Sequence, residues 1–166
     1  MAVTNKIQNQ GVWIGAGFGT EDVATPFLTG QVGMVVIKGE KAYQLVQFKA
    51  SSTAIAVGNA VMWTDYANFV VSAKVADATR NAIAGVALGT QTVGNYGWIQ
   101  VDGPNLVTVS TGAITAGDTV IMSATDGTVA GVAAGTASTY IPLGNCTVTA
   151  AGNVVGLKLT VPRNGW

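Results

Sequence analysis

The chain has 166 residues and 16.8 kDa, with eight lysines and arginines balancing eight aspartates and glutamates, no histidine and one cysteine. Charged residues make up 10% of it, where about 25% is usual, while 49% are hydrophobic and the mean hydropathy is +0.42. These figures exclude an intrachain disulfide, a Cys/His metal framework, the basic face of a nucleic-acid binder and the polar composition of a disordered chain.

Residues 1 to about 33 read as an extended arm. Gly11, Gly15, Gly17, Gly19, Gly30 and Pro26 interrupt any regular period, yet Trp13, Ile14, Phe18, Phe27 and Leu28 are large and apolar. A glycine-rich stretch carrying such groups is expected to dock, either on its own domain or on a partner. Met1–Lys6 has no basic region ahead of an apolar run, so synthesis in a cytoplasm is expected. No run of about 18 apolar residues suggests a membrane helix.

From Met34 the pattern is strand after strand in one all-β domain, 34–166. Met34–Ile37, a Lys38-Gly39-Glu40-Lys41 turn and Tyr43–Lys49 predict a hairpin. Further strands are predicted at Ala60–Trp63, Phe69–Ser72, Ala82–Leu88, Gly97–Val101, Leu106–Val109, Thr119–Met122, Thr128–Val132, Tyr140–Leu143, Asn145–Thr149 and Val154–Val161. Turns are expected at Asp65-Tyr66-Ala67-Asn68, Gly94-Asn95, Asp102-Gly103-Pro104-Asn105, Asp126-Gly127 and Ala151-Gly152-Asn153. Val75–Asn81 is the best helical stretch, short and polar. Short strands with frequent turns predict a small β-barrel or β-sandwich.

An echo runs through the domain at an offset of 59, laying 54–101 over 113–160. Ala54, Ile55, Gly58 and Val61 fall on Ala113, Ile114, Gly117 and Val120, and Val70, Gly85, Thr90 and Gly97 on Val129, Gly144, Thr149 and Gly156. The echo predicts two related β-units sharing turns in which Gly precedes Asn or Asp.

No catalytic constellation emerges. Ile14-Gly15-Ala16-Gly17-Phe18-Gly19 has its third glycine too early for a dinucleotide fingerprint and runs into Pro26 rather than a helix. The carboxylates are Glu21, Asp22, Glu40, Asp65, Asp77, Asp102, Asp118 and Asp126. Turn chemistry already accounts for Asp102, Asp118 and Asp126, leaving no indication of an opposed acid pair. Ser51, Ser52, Ser72 and Lys74 lie in no nucleophile motif, and no histidine could serve as base. Cys146 is expected as a buried thiol. We therefore expect no enzyme, cofactor or metal. Trp63, Tyr66, Tyr96 and Trp98, beside predicted turns, are candidates for stacking on a sugar or filling a partner's pocket, against the plainer reading of core packing. Trp166, at the end of the chain, is a further anchor candidate.

Ile83–Leu88, Gly97-Trp98-Ile99-Gln100-Val101-Asp102-Gly103, Gly112-Ala113-Ile114-Thr115-Ala116-Gly117-Asp118-Thr119-Val120, Asp126-Gly127-Thr128-Val129 and Val155-Gly156-Leu157-Lys158-Leu159 follow one another in an order that resembles the capsid decoration, or cement, proteins of tailed bacteriophages. The resemblance covers roughly 50–161. It implies a virion protein on the outside of the head, a homo-oligomer, as a trimer, clamping neighbouring copies of the major capsid protein, without catalytic residues, nucleic acid or membrane. On that reading Trp13, Ile14, Phe18, Phe27, Leu28 and Trp166 are the partner-binding residues. The alternative, a carbohydrate- or receptor-binding module of a phage fibre or surface adhesin, would use Trp63, Tyr66, Tyr96 and Trp98.

Overall fold

A computed structural model describes residues 32–161, which form an all-β structure. Its strands are β1 (Val35–Lys38), β2 (Lys41–Phe48), β3 (Ala60–Asp65), β4 (Val70–Ser72), β5 (Ile83–Ala87), β6 (Tyr96–Val109), β7 (Thr119–Met122), β8 (Val129–Val132), β9 (Gly144–Ala151) and β10 (Val154–Thr160). The predicted helical stretch shrinks to a 3-10 turn, Val75–Asp77. Hydrogen bonding runs in the order β1-β2-β4-β3-β5-β6-β10-β9-β7-β8, and β2 also pairs with β6. That second pairing closes β2, β4, β3, β5 and β6 into a five-stranded barrel, which decides between the barrel and the sandwich.

Period-two alternation builds the barrel. Along β2, Ala42, Val46 and Phe48 enter the core, where Ile55, Val61, Trp63, Val71, Ala84, Ile99 and Val101 meet them. Tyr43 and Leu45, between them, face outward and join Trp98 in a second apolar cluster, backed by Met34, Val36 and Leu88. Each large side chain buried in this way contributes roughly 1.5–3 kcal/mol.

The predicted turn at Asp102-Gly103-Pro104-Asn105 is not a turn. It lies inside β6, at the point where that strand changes partners. Residues up to Asp102 pair with β2, and residues from Asp102 onward pair with β10. Gly103 takes φ +87° there, and a β-carbon on it would lie 2.1 Å from the Glu40 carbonyl oxygen, so only glycine fits. Asp102 Oδ1 accepts the Gly103 N–H (2.8 Å). The buried Gln100 amide donates to the carbonyls of Asp102 (3.0 Å), Gly103 (3.3 Å) and Pro104 (3.0 Å). Turn-forming residues thus supply a bend whose polar groups are satisfied from within the strand.

Beyond the bend, β7, β8, β9 and β10 repeat the plan of β3, β4, β5 and β6. Both groups have the strand order second–first–third–fourth: β4-β3-β5-β6 and β8-β7-β9-β10. The register recurs at the offset of 59. Ala60 pairs with Val86 and Val61 with Gly85; Thr119 pairs with Asn145 and Val120 with Gly144. The turns recur as well. Asn59 Oδ1 accepts the Ala56 N–H (2.7 Å) and Asp118 Oδ2 the Thr115 N–H (2.9 Å). Gly58 N–H bonds to the Ala87 carbonyl (2.9 Å) and Gly117 N–H to that of Cys146 (3.0 Å). The second half of β6 takes a place in this unit like that of β2 in the first: it runs antiparallel to β10, and just past its end Ser110 makes a single parallel bridge to Val129 of β8. β6 therefore serves both units, the closed barrel and the strands added to it.

The second core contains Ile114, Val120, Met122, Leu143, Cys146, Leu157 and Leu159, and it is floored by Ala60, Met62, Ile83 and Val86 from the outside of β3 and β5. Tyr140–Leu143, predicted as a strand, is a loop. At its start the amides bond to side chains, Tyr140 N–H to Ser138 Oγ (3.0 Å) and Ile141 N–H to Asn81 Oδ1 (2.9 Å), and Leu143 alone reaches a strand backbone, its N–H bonding to the Val120 carbonyl (2.7 Å). Arg80 lies over the Tyr140 ring, 4.0 Å from its centroid.

Candidate functional site

Trp13, Ile14, Phe18, Phe27, Leu28 and Trp166 lie outside the described residues. Of the four aromatic candidates within them, two come together. Trp63, near the end of β3, and Tyr66, in the turn that follows, have ring centroids 5.2 Å apart, and Phe69 meets Trp63 edge-on at 6.3 Å. Asp65 builds that turn by accepting the N–H groups of Ala67 (3.0 Å) and Asn68 (3.2 Å) and the Asn68 side-chain amide (2.7 Å). The Asn68 side chain and then its backbone hold the Asp65 carboxyl below the usual carboxylate range. Trp63 is largely buried in the barrel core, whereas Tyr66 is 46% exposed. Trp98 is fully buried with Tyr43 and Leu45, and Tyr96 is half-buried at the start of β6, paired with Gln47. The four rings do not form one ledge: Trp98 lacks the exposed face that stacking on a ligand requires.

Phe69 has φ +54°, a left-handed conformation uncommon for a bulky residue. Its ring covers Gly33, where a β-carbon would lie 2.3 Å from the ring atoms. Gly33 is fixed further by its N–H to the Leu45 carbonyl (2.7 Å) and by its own carbonyl, which accepts from the Gln44 amide (3.1 Å). The chain therefore enters the barrel from a fixed point beneath the Trp63–Tyr66–Phe69 tip. Strain of this kind persists where surrounding contacts impose it.

The described aspartates act as fasteners. Asp126 Oδ1 accepts the Val75 N–H (2.8 Å), across 51 positions of sequence. Asp77 accepts from Ser72 Oγ (2.7 Å) and pairs with Lys49 Nζ at 3.3 Å, tying the 3-10 turn to the ends of β2 and β4. Burial opposes its charge, but the Ser72 hydrogen bond and then Lys49 outweigh that and hold the Asp77 carboxyl below the usual range. Among the described residues, no group of three or more His, Cys, Asp or Glu side chains is placed to hold a metal ion. Cys146 is buried; desolvation foremost pushes its thiol up, and its S–H points to the Val148 carbonyl (3.3 Å).

Sequence reasoning missed an apolar patch on the outer face of β6, β10 and β9, formed by Leu106, Val107, Val148 and Val154. A signal for it was present. Leu106 and Val107 are adjacent, and a strand sends neighbours to opposite faces unless a bulge intervenes. The register between β6 and β10 shifts here, with Thr108 opposite Val155 and Asn105 opposite Leu157, and both intervening side chains turn outward. No protein-family model matches the chain, and a search of curated proteins finds no similar sequence.

Proposed function

We propose that this protein is a structural subunit of a larger assembly, of the kind that decorates and cements the outside of a tailed-bacteriophage head. It acts as a homotrimer on the capsid surface, stabilising contacts between neighbouring copies of the major capsid protein. The observation that carries this reading is where the polar side chains are engaged. Asp65, Asp77, Asp102, Asp118 and Asp126 bind backbone or side-chain groups that hold turns and loops, and Gln100 and Asn105 brace the bend of β6. Such a scaffold is suited to bearing load. Low charge and an exposed apolar sheet face favour a surface covered by neighbours.

On this reading the arm, 1–33, grips the capsid through Trp13, Ile14, Phe18, Phe27 and Leu28, with Trp166 as a second anchor. Three arms acting together make release slow by avidity. Phe69 and Gln44, which fix Gly33, support it by giving the arm a rigid root. The test is attachment to heads stripped of the subunit, using the full chain and a chain lacking residues 2–30. Loss of attachment with an unchanged circular dichroism spectrum is expected; undiminished attachment would refute the arm's role.

The exposed Tyr66 beside Trp63 favours a second reading, a carbohydrate-binding module. Binding on a glycan array that is lost in Tyr66→Ala would select it over the cement reading.

A further inference from the structure

We propose that residues 74–82, between β4 and β5, are a strap that locks the second unit onto the first and opens ahead of the rest of the fold, with the Asp77 carboxylate as its acid-sensitive catch. This goes beyond the assembly reading and stands or falls apart from it.

The strap leaves the barrel at Ala73, 1% exposed, and returns at Ile83, 3% exposed. Between those points no residue is buried, and only Val75 and Ala78 pack partly against the second core. Apolar burial therefore holds the strap weakly. Its polar fasteners reach both units. On the first, Asp77 accepts from Ser72 Oγ at the end of β4 (2.7 Å) and pairs with Lys49, just past β2 (3.3 Å). On the second, in the turn before β8, Asp126 Oδ1 accepts the Val75 N–H (2.8 Å), and the Gly127 N–H donates to the Ala73 carbonyl (2.8 Å). In the loop after β8, Arg80 donates to the Tyr140 hydroxyl, and the Ile141 N–H donates to Asn81 Oδ1 (2.9 Å). The strap thus ties down both flanks of β8, an edge strand of four residues.

The second unit supplies an internal control. At the offset of 59, residues 133–141 correspond to 74–82. Both copies form the same turn: Asp77 N–H bonds to the Lys74 carbonyl (3.0 Å) and Thr136 N–H to the Ala133 carbonyl (3.0 Å). In the second copy, Ala133, Thr136 and Thr139 stand where the first has Lys74, Asp77 and Arg80, and Thr108 stands where it has Lys49. Residues 133–139 are all exposed. The turn therefore needs no charge. In a chain that is 10% charged, three of the strap's nine residues are charged, and they belong to the copy that is fastened down.

Asp77 is the catch because its carboxylate joins the strap to the barrel. The groups facing it are Ser72, Lys49, Ser51 Oγ (3.5 Å) and Lys74 of the strap itself. Burial opposes its charge, but the Ser72 hydrogen bond, then Lys49, then Lys74 hold its carboxyl below the usual range. The hold is complete above the ordinary value of about 3.9 and is lost as pH falls through the lower value of the closed strap.

The experiment is hydrogen–deuterium exchange of the full chain at about pH 7 and about pH 3, each rate divided by that of the unfolded chain at the same pH. Trypsin cleavage after Lys74 and Arg80, measured at neutral pH, accompanies it. In the parent, protection of 74–82 should fall about five- to tenfold on acidification while β6 and β10 keep theirs. Asp77→Asn should show the lower protection at both pH values. It should also be cut after Lys74 and Arg80 about five- to tenfold faster, with cleavage after Lys158 in β10 no faster. Asp126→Ala should speed the same two cuts but keep the acid response, since the catch is intact. Three results would each overturn the inference: strap protection in the parent that ignores acid, Asp77→Asn cut at the parent's rate, or cleavage after Lys158 rising by the same factor, which would mean that the whole fold opens.

Discussion

Two buried amides should respond oppositely to the loss of their polar ends. Asn105 is 6% exposed. Its Nδ2 donates to Gln100 Oε1 (3.1 Å), and its Oδ1 accepts from Val107 N–H (2.9 Å) and Thr108 Oγ1 (3.1 Å). Asn105→Leu keeps the bulk and strands these partners, of which the Gln100 side chain and Thr108 are buried. At about 1–3 kcal/mol for each buried group left unsatisfied, the cost is about 2–5 kcal/mol. Gln91 is 4% exposed, and neither atom of its side-chain amide has a hydrogen-bond partner among the described residues. Its backbone N–H, bonded to the Ile55 carbonyl (3.1 Å), is indifferent to the side chain. Gln91→Met retains the shape, removes an uncompensated desolvation penalty and should stabilise by about 1–2 kcal/mol. At roughly 2–4 °C per kcal/mol for a chain of this size, Asn105→Leu should lower Tm by about 4–20 °C and Gln91→Met should raise it by about 2–8 °C. Thermal melts followed by circular dichroism, supported by urea midpoints, measure both. Shifts of the same sign and size would show that burial alone, and not hydrogen-bond satisfaction, sets the cost at these sites.

Gly58 and Gly117 occupy corresponding turns and both have positive φ, +82° and +96°, but a β-carbon at Gly58 would lie 2.0 Å from the Val107 carbonyl oxygen and one at Gly117 would meet nothing. Gly117→Ala should cost about 1–2 kcal/mol for the left-handed backbone, and Gly58→Ala about 2–5 kcal/mol once strand displacement is added; equal urea midpoints would contradict this. Asp77 has a depressed folded pKa, so its contribution to stability is present above the unfolded value of about 3.9 and is lost as pH falls through the lower folded value. Asp77→Asn should therefore be less stable than the parent at neutral pH, with the gap closing below about pH 4; a gap independent of pH would refute the linkage. The buried thiol of Cys146 should react with a thiol reagent orders of magnitude more slowly in native protein than in urea.

Most strands were legible because period-two alternation and turn residues agree, as in Lys41–Phe48 and Thr119–Met122. The errors have one cause. Asp102-Gly103-Pro104-Asn105 carries every local mark of a turn, and locally it is a bend with a left-handed glycine. Whether such a bend reverses the chain or redirects it to another neighbour depends on partners distant in sequence, here Glu40 and β10. Tyr140–Leu143 has strand-like residues, but Tyr140 and Ile141 find side-chain acceptors where a strand would need a neighbour's backbone. The aromatic candidates are dispersed over the fold for the same reason. Trp98 and Trp63 stand in similar local sequence, and only barrel closure buries the first outside the barrel and places the second near its mouth beside Tyr66.

Sharing β6 between two units also determines how the protein should unfold. A duplicated unit with its own closing strand could melt alone. Here the second unit borrows its closing strand from the first, and its core rests on Ala60, Met62, Ile83 and Val86 of β3 and β5. Losing the first unit exposes that floor and frees half of β6, while losing the second leaves those apolar side chains in water. Neither unit can open without destabilising the other, so calorimetry should give a single transition. At about 0.7 kcal/mol per residue near 60 °C, the described residues should contribute about 90 kcal/mol of enthalpy, with a van't Hoff value to match. A van't Hoff enthalpy near half the calorimetric one would mean that the units melt separately and that β6 is only a connection between them. Asn105→Leu sharpens the test, since it loosens the bend while leaving both cores intact. If the units are coupled through β6, the variant's single transition moves down as a whole; if they are not, it splits.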